Sequence, residues 1–69
     1  MTQCQRILKY IDDFGSITPL EALKDLGIMR LGARVYDLRK SGVEIVRETV
    51  KDRNRYDEPV HYARYRRAS

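Results

Sequence analysis

The sequence predicts an α+β fold, a three-helix bundle followed by a C-terminal β-hairpin, in a single domain over residues 1–69. Three observations predict it. Up to Gly42, apolar residues recur at helical spacing in three short blocks, and Gly15, Gly27 and Gly42 close them. After Gly42 the period changes: "VEIVRETV" (Val43–Val50) is rich in β-branched residues, and "VHYARYRR" (Val60–Arg67) alternates with aromatics. Between those runs, "KDRNRYDEP" is polar and turn-prone.

The first helix is expected at about 3–14. Thr2-Gln3-Cys4-Gln5 is a capping box, in which Thr2 accepts from an early amide and Gln5 reaches back. Cys4, Ile7, Leu8, Ile11 and Phe14 then share one stripe. Asp12 and Asp13 lie near the C-terminus, where the helix dipole disfavours them. Ser16-Ile17 reads as a brief extended link. The second helix, about 19–26, has a Thr18 N-cap, Pro19 at its first position and Glu21 at its third. Leu20, Leu23 and Leu26, with Ala22 beside them, form its expected buried side. At this length it needs neighbours to be stable.

The third helix is expected at about 29–41, after a tight turn. Leu31, Val35 and Leu38 stand at i, i+4 and i+7, with Ile28 on the same side. The opposite face carries Met29, Ala33, Asp37 and Lys40, flanked by Arg30 and Arg34. Hairpin strands are expected at about 43–50 and 60–66, leaving Lys51–Glu58 as a long charged loop. Tyr62 and Tyr65 fall on opposite faces, one toward the helices and one half-covering the sheet.

Composition narrows the classes of function. With 35% charged and 42% hydrophobic residues, the 69-residue chain is composed like a folded protein and not a disordered one. No apolar run approaches the roughly 20 residues needed to span a membrane, and the N-terminus lacks the layout of a signal peptide. Cys4 is the only cysteine, so no internal disulfide forms, and with His61 distant there is no metal cluster. A reducing cytoplasm fits best. No glycine-rich phosphate loop and no carboxylate pair suggests catalysis, so neither enzyme chemistry nor a cofactor is expected. The net charge of +4 points toward a polyanionic partner. Each side of Gly42 carries seven Lys/Arg against five Asp/Glu, so neither half is a basic tail and position must carry the argument.

The stretch "SITPLEALKDLGIMRLGARVYDLRKSGVEI" resembles the small winged helix-turn-helix domains common in phage and prophage genomes. In those domains an S-I-T-P-x-E-A start, an L-G-I-x-R-L-[AG]-A-R turn and an L-R-x-x-G end follow in that order. The likeness runs from Arg6 to Ile45, with a looser match in the final "YARYR". It implies a winged helix-turn-helix fold and binding to double-stranded DNA, as in a phage-type transcriptional regulator.

The residues themselves suggest how such binding would work. A helix fits the major groove and reads base edges with its N-terminal half. Arg30 and Arg34 are placed to pair with guanines, and Met29 and Ala33 to touch thymine methyl groups. Lys40 suits a phosphate, as do the amides around Thr18 at the start of the second helix. Lys51, Arg53 and Arg55 gather near the hairpin tip, where they can follow phosphates or a minor groove. Arg39 lies nearer the buried side and is expected in an ion pair with an acidic residue, while Arg64, Arg66 and Arg67 form a less ordered C-terminal cluster. Asp37 does not fit a phosphate-facing surface. It either accepts from a cytosine amino group or marks the alternative function, docking on a host or phage protein. The free state is expected to be a monomer, with weak homodimer pairing on a palindromic site.

Overall fold

A computed structural model describes residues 1–68. Three helices, α1 (Gln3–Phe14), α2 (Pro19–Leu26) and α3 (Leu31–Lys40), precede strands β1 (Ile45–Arg53) and β2 (Pro59–Arg67). The strands pair antiparallel, with Ile45 opposite Arg67 and Arg53 opposite Pro59. This is the α+β arrangement that the change of period predicts.

Both capping boxes form. The Thr2 hydroxyl accepts from Gln5 N at 3.1 Å while Thr2 N donates to Gln5 Oε1 at 2.8 Å. Thr18 and Glu21 repeat the exchange at 3.2 and 2.9 Å. Gly27 ends α2 at φ 68°, a left-handed conformation that costs a side-chain-bearing residue energy. That turn aims the chain so that Ile28 is buried before α3 begins.

The core joins Ile7 and Ile11 of α1, Ala22 of α2, Ile28 of the turn, Leu31, Val35 and Leu38 of α3, and Ile17 and Ile45. Ile17 is more than a link. Its N–H donates to the Tyr65 carbonyl and its carbonyl accepts from Tyr65 N, both at 2.8 Å, so it adds a one-residue third rung to the outer edge of β2. The wing root is thereby fastened between α1 and α2. Tyr65 packs on the helices, while Tyr62 faces the other side of the sheet and stays exposed.

Four expectations are corrected. Phe14 is 71% exposed, because it lies in the last turn before the chain bends away at Gly15; its ring meets Tyr10 at 4.7 Å. Leu20 and Leu23 are exposed as well, since small Ala22 and Leu26 one turn later provide the contact side of α2. The hairpin is longer than predicted: Lys51, Asp52 and Arg53 pair with His61, Val60 and Pro59, so the loop shrinks to Asn54–Glu58. Arg64, Arg66 and Arg67 are ordered in β2, where Glu48 takes the first two at 3.7 and 3.1 Å and Asp12 takes Arg67 at 3.2 Å. That last contact also gives Asp12 the cation that its helix end wants.

Candidate nucleic-acid interface

Helix α3 is divided cleanly between an inner and an outer side. Leu31, Val35 and Leu38 are buried, which presses one face onto α1 and α2 and leaves the opposite face in solvent. The helix starts two residues later than the sequence suggests. Met29 lies in the turn and is 82% exposed, and Arg30 is the N-cap, with φ −115° and ψ 63°. No side chain caps this end, in contrast to α1 and α2. Both residues still border the outer face, because they stand immediately before its first turn.

Arg34 and Asp37, three positions apart, form an ion pair at 3.2 Å. Arg34 is half-buried, and its Nε is enclosed without a hydrogen-bond partner among the described residues. Its main chain is held from the other side, where the Cys4 thiol lies 3.9 Å from the Arg34 carbonyl. Ala33 is half-buried between the exposed residues around it. Lys40 reaches back so that its ammonium sits 5.6 Å from the centre of the Tyr36 ring, a cation–π arrangement. Tyr36 is 61% exposed and belongs to this face, although the sequence reading did not name it. The signal was present: Tyr36 lies three after Ala33 and four before Lys40, so all three share one side of the helix.

Arg39 is structural, but its partner is not an acid. Nε and Nη2 donate to the Ile45 carbonyl at 3.3 and 2.9 Å, clamping the end of α3 to the start of β1. A guanidinium can donate to a carbonyl as well as to a carboxylate, and among the described residues no carboxylate lies within ion-pair distance of Arg39.

The hairpin tip is organised by Asn54. Its side-chain oxygen accepts from Tyr56 N at 2.9 Å and Glu58 N at 3.1 Å, and its amide donates to Glu58 Oε1. Asp57 adopts φ 60° to close the turn. Arg53 is absorbed in this framework: Nη1 donates to the Asp57 carbonyl at 2.7 Å and Nε lies 3.6 Å from its carboxylate. Arg53 therefore braces the tip, and the free charge there is Arg55 beside exposed Tyr56. Lys51 and Arg47 stand on the strand face that carries Ile45, Ala63 and Tyr65, the face turned toward the helices. Arg47 was also missed, although strict alternation places it two residues from Ile45 and four from Lys51.

Thr18 is brought to the surface but not freed for a ligand. Its amide donates to Glu21, its hydroxyl accepts from Glu21 N, and Pro19 has no N–H to offer. The Glu21 carboxylate already occupies the positive end of α2, and Asp52 lies across a shallow groove from it. The start of α2 is thus a poor phosphate seat.

Among the described residues, no carboxylate lies within ion-pair distance of Arg30 and Lys40 on α3, or of Arg47, Lys51 and Arg55 on the hairpin. No group of three His, Cys, Asp or Glu side chains is arranged to hold a metal among those residues. No helix among them is long and apolar enough to cross a membrane. No curated protein and no solved structure matches the chain. The family model described as a winged helix-turn-helix domain matches residues 2–68, and the chain belongs to that family.

Proposed function

We propose that this domain binds double-stranded DNA, laying α3 in the major groove and the hairpin along the backbone or an adjacent minor groove. One observation carries the reading. The cations Arg30, Lys40, Arg47, Lys51 and Arg55 are left without carboxylate partners among the described residues, at the two ends of α3 and on the hairpin. Arg34 adds a guanidinium to the same face. Met29, Ala33 and Tyr36 supply apolar surface between the charges. Family membership supports the assignment, and the likeness to phage domains extends it to a transcriptional regulator working in the cytoplasm. In this reading the protein binds without catalysing a reaction. It is a monomer when free, and copies pair on a palindromic operator.

If about five phosphates are neutralised, log affinity falls against log salt with a slope of about −4 to −5. Fluorescence anisotropy with a labelled random-sequence duplex measures this directly. Undetectable binding at low salt would end the proposal.

One feature favours a second reading, docking on a host or phage protein. Leu20, 64% exposed, and Tyr62 line the groove that Glu21 and Asp52 make acidic, a surface unsuited to DNA. Retention of a protein in place of duplex would support that alternative. The acids nearer the reading surface weaken it, because Asp37 and Asp57 are both neutralised internally.

A further inference from the structure

We propose that Arg34 and Asp37 act as one reader of two adjacent base pairs: guanine for Arg34, and beside it a base presenting an exocyclic amino group to Asp37. This rests on the DNA-binding reading and gives it a sequence code.

Asp37 is the charge that least suits the face it occupies, since every phosphate repels it. Stability does not account for it. Its ion pair with Arg34 is half-exposed on both sides, and such pairs contribute little to folding. What the pair does is orient a guanidinium. Arg34 Nε is enclosed, so the root of the group points into the protein and only Nη1 and Nη2 can face outward. Nη2 lies 3.2 Å from Asp37 Oδ2 as an ion pair, with no N–H aligned on the carboxylate, which leaves the N–H groups of Nη1 and Nη2 for a ligand. That end-on fork matches O6 and N7 of guanine in the major groove. The carboxylate's charge keeps the guanidinium beside it before DNA arrives.

The second oxygen of Asp37 decides the neighbouring base. Among the described residues nothing donates to Oδ1, and a carboxylate can only accept. In the major groove it is satisfied by N4 of cytosine or N6 of adenine, and repelled by O6 of guanine or O4 of thymine. Three helical positions advance about 4.5 Å along the axis, against about 3.4 Å per base step, so the two residues address neighbouring pairs. At a wrong sequence Asp37, paired only with Arg34, meets a keto oxygen that repels it; at the right one the amino group donates to it. Specificity then comes from exclusion as much as from attraction.

The test compares wild type, Asp37→Ala and Asp37→Asn in competition between duplexes that differ only at the base beside the guanine, with thermal melting as a control for folding. Wild type is expected to prefer the amino-bearing neighbour by about tenfold. Asp37→Ala should lose that preference yet bind random duplex several-fold more tightly, because a repelling charge is gone. Asp37→Asn, which both donates and accepts, should tolerate keto bases as well. Arg34→Lys should weaken the guanine preference without changing the salt slope. If wild type binds duplex but Asp37→Ala keeps the base preference at every position, the inference is wrong while the DNA-binding reading stands. If wild type binds no duplex, that reading falls first and takes the inference with it.

Discussion

The helical body and the outer half of the wing are held by different forces. In the body, the Ile7, Ile17, Ile28, Leu31 and Val35 side chains are fully buried, and both α1 and α2 begin with reciprocal caps. Along the wing, burial ends at Ile45 and Ala63; beyond them order comes from the strand ladder, the Glu48–Arg64–Arg66 cluster and the Asn54 turn. A two-stranded hairpin is marginal alone in water. The wing therefore takes its direction from its root, where Ile17 pairs with Tyr65 and Arg39 grips the Ile45 carbonyl. The root fixes the angle between wing and α3, and the tip leaves Arg55 without a carboxylate partner among the described residues.

Breaking the root from the body side should have the largest effect. Ile17→Ala removes a fully buried side chain, which costs about 2–5 kcal/mol. A domain of this size has about 3–10 kcal/mol in total. Urea unfolding followed by far-UV circular dichroism should show a midpoint lowered by half or more, or a chain already unfolded in buffer. A midpoint near wild type would mean that the wing does not depend on this residue.

Arg39→Ala attacks the same root from α3. Loss of a charged donor pair to one carbonyl is expected to cost about 1–3 kcal/mol. Hydrogen exchange should quicken first at the amides beginning β1, and base preference should not change, because Arg39 faces away from the reading side.

A smaller effect separates α1 and α2 from the wing by pH. Tyr10 donates to Asp25 Oδ2 at 2.6 Å, and that hydrogen bond, helped by burial and by the charges of Glu21 and Asp25, raises the phenol from 10.0 to about 12. The folded state holds this proton more tightly than the unfolded chain. Its stabilising contribution is thus complete below the ordinary value of 10.0 and is lost as pH rises toward about 12. Denaturation midpoints of wild type and Tyr10→Phe should differ at neutral pH and converge across that alkaline range. A constant gap would contradict the hydrogen bond.

The smallest change in stability belongs to the tip. Arg55→Ala should leave folding within about 0.5 kcal/mol of wild type, while reducing the salt slope of duplex binding by about one. Arg53→Ala, by contrast, should loosen the turn that Asp57 closes. Equal effects from the two would erase the distinction between a bracing and a contacting arginine.

The same contrast explains what could be read in the sequence. The body was legible because caps, glycine stops and the Leu31-Val35-Leu38 stripe are local signals with few alternative meanings. The start of α3 was not, since Arg30 caps without using its side chain and no capping residue type marks the position. Leu20 and Leu23 misled because periodicity identifies an apolar side of a short helix without saying which part of it a neighbour covers. In the wing, Lys51-Asp52-Arg53 read as loop by charge although each residue is paired in the ladder. Ladder pairing depends on the backbone, and charged side chains can ride on it in solvent. Of the candidate contacts, the Arg34–Asp37 pair was not anticipated although its i, i+3 spacing is local, whereas the capture of Arg53 by Asp57 depends on how the tip folds back.

In the proposed complex α3 reads bases while the hairpin follows the backbone. Selection of bound sequences from a random duplex pool, at two salt concentrations, tests it most directly. A short enriched motif containing guanine is expected, with the same motif at both salts and much less DNA retained at the higher one. An unenriched pool, or retention indifferent to salt, would contradict it.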